Sequence, residues 1–185
     1  MRLQFAILIL FGSLPTALAK PVEATGSAGA EITIPLEIIA SEERFFSAGL
    51  NSVAPPVPEL YAIEWSSLYF GSIVPPTAGT ARITLSPEGA RQCPANASCL
   101  TNDYHAARFG VTGEENRFFV VSIPNAMTVA NGTDTMTIEN MTSSVPVGFL
   151  ANGYDEFCVG GELVVNANQP SGDYAGTYNV AVEYQ

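Results

Sequence analysis

The side chains best suited to chemistry in this 185-residue chain are one histidine and three pairs of adjacent carboxylates. His105 stands alone in a polar stretch, whereas a catalytic base or a metal site needs partner groups within bonding distance. The carboxylate pairs are Glu42–Glu43, Glu114–Glu115 and Asp155–Glu156. Neighbours on a strand point to opposite faces, so they flank one substrate only when they lie in turns. The last two pairs fall where turns are expected, and we interpret them as solvated hairpin tips.

Motifs that would carry chemistry are also missing from the sequence. We find no calcium-binding loop, no nucleophile elbow and no glycine loop for phosphate or dinucleotide. The sequence therefore predicts a protein that is not an enzyme and that holds neither a metal nor a cofactor.

Three cysteines indicate an oxidising compartment. Cys93 and Cys99 flank a short polar loop, and we predict a disulfide between them, worth roughly 2 kcal/mol of loop-closure entropy. Their spacing does not match the usual zinc motifs. Cys158 is left over, and the sequence does not decide whether it is free or pairs with one of the other two.

The first residues of the chain have the three parts of a secretory signal. Arg2 gives the positive start, Leu3–Phe11 is an apolar run, and Ala17–Ala19 has the small residues that signal peptidases cut after. The run is about half of the ~20 residues that span a bilayer. We expect cleavage after Ala19, export of the remainder, and no membrane-spanning segment in the mature chain.

The net charge of the chain limits the classes of partner that it is expected to bind. Eighteen acidic and seven basic residues give a net charge of −11. Nucleic-acid binding needs a basic face, so the composition argues against it, and it also disfavours docking on anionic lipid.

Short runs rich in Thr, Val, Ile, Tyr and Phe dominate the mature chain and are separated by turn residues. They predict strands at Glu31–Ile39, Ala62–Ile73 (in one or two pieces), Thr80–Ser86, Ala107–Thr112, Arg117–Ile123, Thr133–Asn140, Glu156–Asn166 and Gly176–Tyr184. No sustained period of 3.6 appears, so little helix is expected. About eight strands of this kind predict an all-β sandwich or barrel.

Alternation identifies the inward faces of the last two strands. The residues expected inside are Phe157, Val159, Leu163 and Val165 in one strand and Tyr178, Val180, Val182 and Tyr184 in the other. Gly160–Gly161 predicts a bulge or a close backbone approach. The segment 40–59 is rich in proline, and we expect a long exposed loop there.

The C-terminal half resembles an uncharacterised family of secreted bacterial β-sandwich proteins. The run Phe157–Tyr178 is similar to that family's ending, VGGxLxVxANQPxGxYxGTYxVxVxY. Leu68–Ile73 and Thr133–Asn140 are similar to its LDFGxI and GTMTVDNF strands. The resemblance covers roughly residues 68–185 and implies a bacterial protein of unassigned function. Segment 40–59 and the Cys93–Cys99 loop depart from the pattern.

A second resemblance concerns the chaperone–usher pilus subunits. They end in an alternating strand with a penultimate aromatic residue and a glycine fourteen residues from the end, as Tyr184 and Gly172 do here. The resemblance implies an immunoglobulin-like or pilin-like sandwich of about seven to nine mostly antiparallel strands that lacks its final strand. A periplasmic chaperone, and then the N-terminal segment of the next subunit, would fill the gap.

Two segments near the N-terminus are candidates for such a donor strand. Glu31–Ile39 places Ile32, Ile34, Leu36 and Ile38 on one side. The alternative is that this segment is the domain's own first strand, in which case the donor is the arm Lys20–Ala30 with its small residues. We therefore expect a signal at 1–19, an arm at 20–30 and one domain at 31–185.

The function expected from these observations is that of an exported, non-catalytic subunit of a fimbria-like polymer, which associates with itself or with other surface subunits. The alternative is a monomeric secreted or surface binding module with a complete sandwich, whose loops, such as Asp103–His105, contact a ligand. The expected route is through the bacterial periplasm to the cell surface or the medium.

Overall fold

The structure is a computed structural model and describes residues 22–32 and 60–185. The expected signal at 1–19 and the proline-rich segment 40–59 lie outside the described residues, as do residues 33–39 of the expected first strand.

Strands make up all of the regular structure in the described part of the chain. They are β1 (Val22–Ile32), β2 (Tyr61–Ser66), β3 (Leu68–Val74), β4 (Thr80–Leu85), β5 (Arg91–Gln92), β6 (Ser98–Cys99), β7 (Ala107–Thr112), β8 (Phe118–Ser122), β9 (Met127–Asn131), β10 (Asp134–Ser143), β11 (Val147–Phe149), β12 (Tyr154–Asn166) and β13 (Gly172–Tyr184). The all-β class predicted from sequence is confirmed.

One mixed sheet contains these strands and curls on itself. Its main path runs β2-β7-β12-β10-β9-β13-β1-β3-β6, and β8 pairs with both β13 and β11. Only Ser67 separates β2 from β3, although the two strands stand near opposite ends of that path. The chain therefore turns a corner at Ser67, and the two ends of the sheet face each other in a sandwich-like fold.

The core fills the space between the facing layers. Phe109 of β7 stacks on Phe157 of β12 at 5.1 Å and meets the Tyr178 ring of β13 edge-on at 6.4 Å. The predicted inward faces are confirmed, because the following side chains are all buried: Phe157, Val159, Leu163, Val165, Tyr178, Val180 and Val182. Tyr184 is partly buried against the same core.

Gly160 marks the point at which β12 changes its neighbour. Up to Val159 one edge of β12 pairs with β7, and from Gly161 that edge pairs with β4. A Cβ at position 160 would lie 2.6 Å from the backbone nitrogen of Pro87. The close backbone approach expected at this glycine pair is therefore present, and it lets two strands share one edge.

The segment that carries the family-like ending forms a hydrogen-bonded turn between β12 and β13. Buried Gln169 donates its amide to the Thr135 carbonyl at 3.2 Å and to the Tyr174 hydroxyl at 3.0 Å. The Tyr174 hydroxyl donates in turn to the Pro170 carbonyl at 2.9 Å. Asn168 has a φ of 54°, which asparagine tolerates better than most residues. This network sets where β13 begins.

A disulfide joins Cys93 and Cys99, whose Cα atoms are 6.3 Å apart. Next to it, Arg91 donates to the Phe70 carbonyl at 2.9 Å, and its guanidinium lies 4.0 Å from the centre of the Tyr104 ring. Cys158 is a free, partly buried thiol, and burial raises its pKa.

We expect reduction of the Cys93–Cys99 disulfide to lower the free energy of unfolding by about 2 kcal/mol, since the closed loop is short. Denaturant unfolding with and without reductant measures the difference. Cys158→Ser is the control and should unfold as the wild type does under both conditions. Equal stability of the oxidised and reduced protein would contradict the expectation.

Candidate functional site

The strand β1 occupies a gap between β13 and β3, which we call the β1 seat. It runs antiparallel to β13 over its whole length, from Val22 opposite Val182 to Ile32 opposite Gly172. It runs parallel to β3, with Ala28 beside Leu68. Of the strand pairs in the described sheet, this is the only parallel one.

Gly26 fits under the ring of Tyr178, its partner across the strand pair. A Cβ at position 26 would lie less than 3.0 Å from three carbons of that ring. Ala28, two residues on, is 3% exposed. The β1 seat therefore accepts small residues, because the Tyr178 ring already fills the space that a larger side chain would need.

Ser27 is held by the carboxylate of Glu64 in β2. The Ser27 backbone amide donates to Glu64 Oε1 at 2.8 Å, and its hydroxyl donates to Oε2 at 2.9 Å. Pairing of β1 with β3 starts only at Ala28, after the corner at Ser67, so Glu64 satisfies an amide ahead of the point where β3 begins to pair. Burial raises the pKa of Glu64 above its usual value, and the two Ser27 hydrogen bonds oppose that shift without cancelling it.

The Tyr178 hydroxyl is buried and has no hydrogen-bond partner among the described residues. Burial also raises the pKa of Tyr178, to which the nearby Glu64 carboxylate contributes. An unpaired buried hydroxyl costs about 1–3 kcal/mol. The ring is thus kept at this position in spite of its hydroxyl, which fits a role in shaping the β1 seat.

Of the four residues expected to form a donor strand, only Ile32 lies in the described part of the chain. Ile34, Leu36 and Ile38 lie outside the described residues, and the backbone of Ile32 ends β1. The strand begins at Val22, so the stretch expected to be an arm enters the sheet instead of preceding it. Apolar alternation pointed to the larger residues, because it does not register a strand whose inward positions, such as Gly26 and Ala28, must be small.

The residues predicted at the terminal edge line the other side of the β1 seat. Gly172 starts β13 with a φ of 145°, and Asn131 packs where a Cβ would stand. Tyr184 accepts a hydrogen bond on its hydroxyl from the Glu114 amide at 2.6 Å, and the Arg117 guanidinium lies 5.0 Å from its ring centre. The strand β13 is thus fixed at both ends while β1 covers one of its edges.

The remaining candidate for chemistry, His105, is held by the backbone. Its Nδ1 lies 2.7 Å from the Ser67 carbonyl, and its main chain bridges to Tyr69. Within residues 22–32 and 60–185 no three His, Cys, Asp or Glu side chains converge in a metal-binding group. The same residues include no helix long and apolar enough to span a membrane.

A second surface, on the outer side of β2, β7 and β12, carries exposed aromatic rings. We call it the aromatic face, and its exposed large residues are Tyr61, Ile63, Trp65 and Tyr154. Trp65 lies over Gly110, where a Cβ would stand 2.7 Å from its Cζ2 atom. Its ring centre is 6.0 Å from that of Tyr154, and the two planes differ by 18°.

Charged groups at the border of the aromatic face are paired with each other. Arg108 donates from Nε to Glu156 Oε2 at 2.8 Å, and its guanidinium lies 5.1 Å from the Trp65 ring centre. The Tyr154 hydroxyl donates to Glu156 Oε1 at 2.6 Å, and partial burial together with this bond raises its pKa to about 12. The Arg108 guanidinium and the Glu156 carboxylate beside the rings therefore neutralise each other.

The fold and its sites define a class of protein: an all-β, sandwich-like domain in which the N-terminal strand closes the sheet beside the C-terminal one. The chain belongs to a family defined by sequence, the domain of unknown function DUF4402, whose model matches residues 62–184. The match begins in β2, so β1 lies outside it. Neither a search of curated proteins nor a search of solved structures finds a match.

The raised pKa of Glu64 leads to a pH dependence. The Glu64 carboxyl binds a proton more tightly in the folded protein than in the unfolded chain. Protonation of Glu64 therefore stabilises the fold fully below the pKa of the unfolded state, and this contribution is lost as the pH rises through the pKa of the folded state. We expect the difference in unfolding free energy between wild type and Glu64→Gln to shift in favour of the variant from about pH 4 to pH 7. A difference that is flat, or that grows in favour of the wild type, would contradict this.

Proposed function

We propose that the protein is an exported, non-catalytic subunit that assembles on a bacterial surface by exchanging β1 between copies. The observation that carries the proposal is the orientation of β1, antiparallel to the last strand and parallel to β3. An N-terminal strand that completes a sheet beside the C-terminal strand is an element that neighbours can exchange at little cost, since the same contacts form within or between chains.

The connection between β1 and the rest of the domain permits such an exchange. Residues 33–59, 27 in number, separate β1 from Leu60. Fully extended, that length reaches at most about 97 Å. A connection of this length can serve a strand inserted into its own domain or into an adjacent one, whereas a tight turn would allow only the first.

Exchange also implies that a subunit which has not yet received a β1 strand needs protection. A subunit whose β1 seat is empty would expose the edge of β13 and buried side chains such as Tyr178 and Val180. Such an edge pairs readily with any extended strand, and a periplasmic chaperone would protect it before assembly. Export and oxidation fit the signal-like segment 1–19 and the Cys93–Cys99 disulfide.

The proposal is tested by trapping β1 of one chain in another. Thr25 and Asn179 are exposed and directly opposite each other. Cα atoms of paired residues stand about 4.5–5.5 Å apart, within reach of a disulfide. We make Thr25→Cys in one tagged chain and Asn179→Cys in another, both with Cys158→Ser. The two chains are coexpressed for export, and non-reducing gels should show a covalent pair.

The control carries both cysteines in one chain. Expression of that chain alone should yield ladders of cross-linked multimers if strands are exchanged. Cross-links confined to single chains, together with a monomeric mature protein, would overturn the proposal.

The aromatic face favours a second candidate function, the binding of a neutral saccharide. The C–H face of a sugar ring packs on exposed aromatic rings such as Trp65 and Tyr154, while its hydroxyls can bond to the Arg108–Glu156 pair. The pairing of those charges and the chain's net charge of −11 disfavour an anionic ligand.

We expect Trp65→Ala to weaken binding to neutral polysaccharides by tenfold or more, because it removes the central ring of the face. Affinity electrophoresis of the mature protein through gels containing such polymers measures the effect. Phe118→Ala is the matched control, since Phe118 is 53% exposed, close to the 51% of Trp65, but lies on β8. Equal retardation of Trp65→Ala and wild type would exclude this function for the face.

A further inference from the structure

We propose that the β1 seat selects β1 of a second copy of this same chain, by reading two adjacent residues of the incoming strand, Gly26 and Ser27. This inference rests on the proposed exchange of β1 between copies and goes beyond it by naming the residues that select the incoming strand. The two reading residues are Tyr178 of β13 and Glu64 of β2.

Tyr178 selects the incoming strand by excluding any side chain at position 26. Its ring occupies the place where any side chain at position 26 would begin, with three ring carbons less than 3.0 Å from a Cβ there. The ring is itself fixed by the edge-on contact with Phe109 and is 4% exposed, so it has little room to move. A strand therefore enters only with a glycine opposite Tyr178.

That requirement also fixes the register. Alanines stand two residues before and after Gly26, and a slip of two residues would set Ala24 or Ala28 against the ring. A slip of one residue would turn the opposite face of the strand toward the core. Only the observed register avoids both conflicts.

Glu64 selects the incoming strand by hydrogen bonds to Ser27. Its two carboxylate oxygens accept the amide and the hydroxyl of Ser27, so both are satisfied by one residue. A strand with alanine at this position would leave Oε2 without its donor in a partly buried site, and such losses are costly for a charged group.

Together, Tyr178 and Glu64 require a short motif in the incoming strand, a glycine followed by a hydroxyl residue, at one fixed position. The chain's own β1 satisfies both, in contact with its own Tyr178 and Glu64. Specificity here comes from a steric clash against other strands as well as from a favourable contact, which is how proteins reject near relatives of a partner. The partner that fits is therefore an identical subunit, and the assembly is a homopolymer.

The test uses the interchain cross-link between full mature chains, with Thr25→Cys in the donor, Asn179→Cys in the acceptor and Cys158→Ser in both. The donor additionally carries Gly26→Ala or Ser27→Ala, each of which should lower the cross-link yield about tenfold in competition with an unmodified, differently tagged donor. Tyr178→Ala in the acceptor should restore the yield with the Gly26→Ala donor. Tyr178→Phe, which keeps the ring, should not restore it.

Glu64→Ala in the acceptor should abolish the preference for the Ser27 donor over the Ser27→Ala donor. Efficient cross-linking that ignores positions 26 and 27 would overturn the inference and leave strand exchange intact. If donor and acceptor chains that carry only the cysteine changes and Cys158→Ser do not cross-link, the proposed exchange between chains is contradicted. In that case Gly26→Ala and Ser27→Ala are placed in a single chain that carries both cysteines, and the yield of the cross-link within that chain is measured. A yield that neither change lowers would overturn the inference as well.

Discussion

The pairing of β1 with β13 is the contact on which the rest of the sheet depends. The strand β13 has neighbours on both sides, with β1 along one edge and β8 and β9 along the other. Without β1, most of one edge of β13 would present unpaired amides and carbonyls. Among the described residues, β3 would then keep only the two-residue strand β6 and the backbone bridge from Tyr69 to His105 as partners. The sandwich closes only when an eleven-residue strand from outside the family-matched region enters this gap.

The corner at Ser67 explains how one gap can be lined by residues from distant parts of the chain. Because β2 and β3 are consecutive but belong to facing layers, the end of β2 brings Glu64 over the point where β3 starts to pair. The carboxylate thus completes the hydrogen bonding of β1 where the backbone of β3 does not. The raised pKa of Glu64 shows that burial at this corner outweighs the two hydrogen bonds that stabilise its charge.

Alternation in the sequence predicted the strands with large apolar faces, and these are correct in β12 and β13 because their inward residues are buried. It did not predict β9, although Asn131–Gly132 is a typical hairpin turn and Gly132 has a φ of 61°. It also left Glu31–Ile39 and Lys20–Ala30 both open as donor segments, because periodicity measures the residues of one strand and not the ring that the strand must meet. The seat for Gly26 is made by Tyr178, 152 positions away in the sequence, and no local pattern of β1 reports it.

The composition of β1 bears on the proposed exchange, which requires that the strand remain unpaired before assembly. Its sequence, VEATGSAGAEI, is rich in residues with low β-propensity and contains two glutamates. A segment of this kind does not stack readily with other copies of itself, in contrast to strands with alternating large apolar residues. Its described contacts in the sheet are the two ladders and the fit at Gly26 and Ser27, all of which belong to the β1 seat. A strand that is inert outside its site and specific within it suits exchange better than a strongly hydrophobic one, since the fit to Tyr178 and Glu64, and not general stickiness, then decides where it goes.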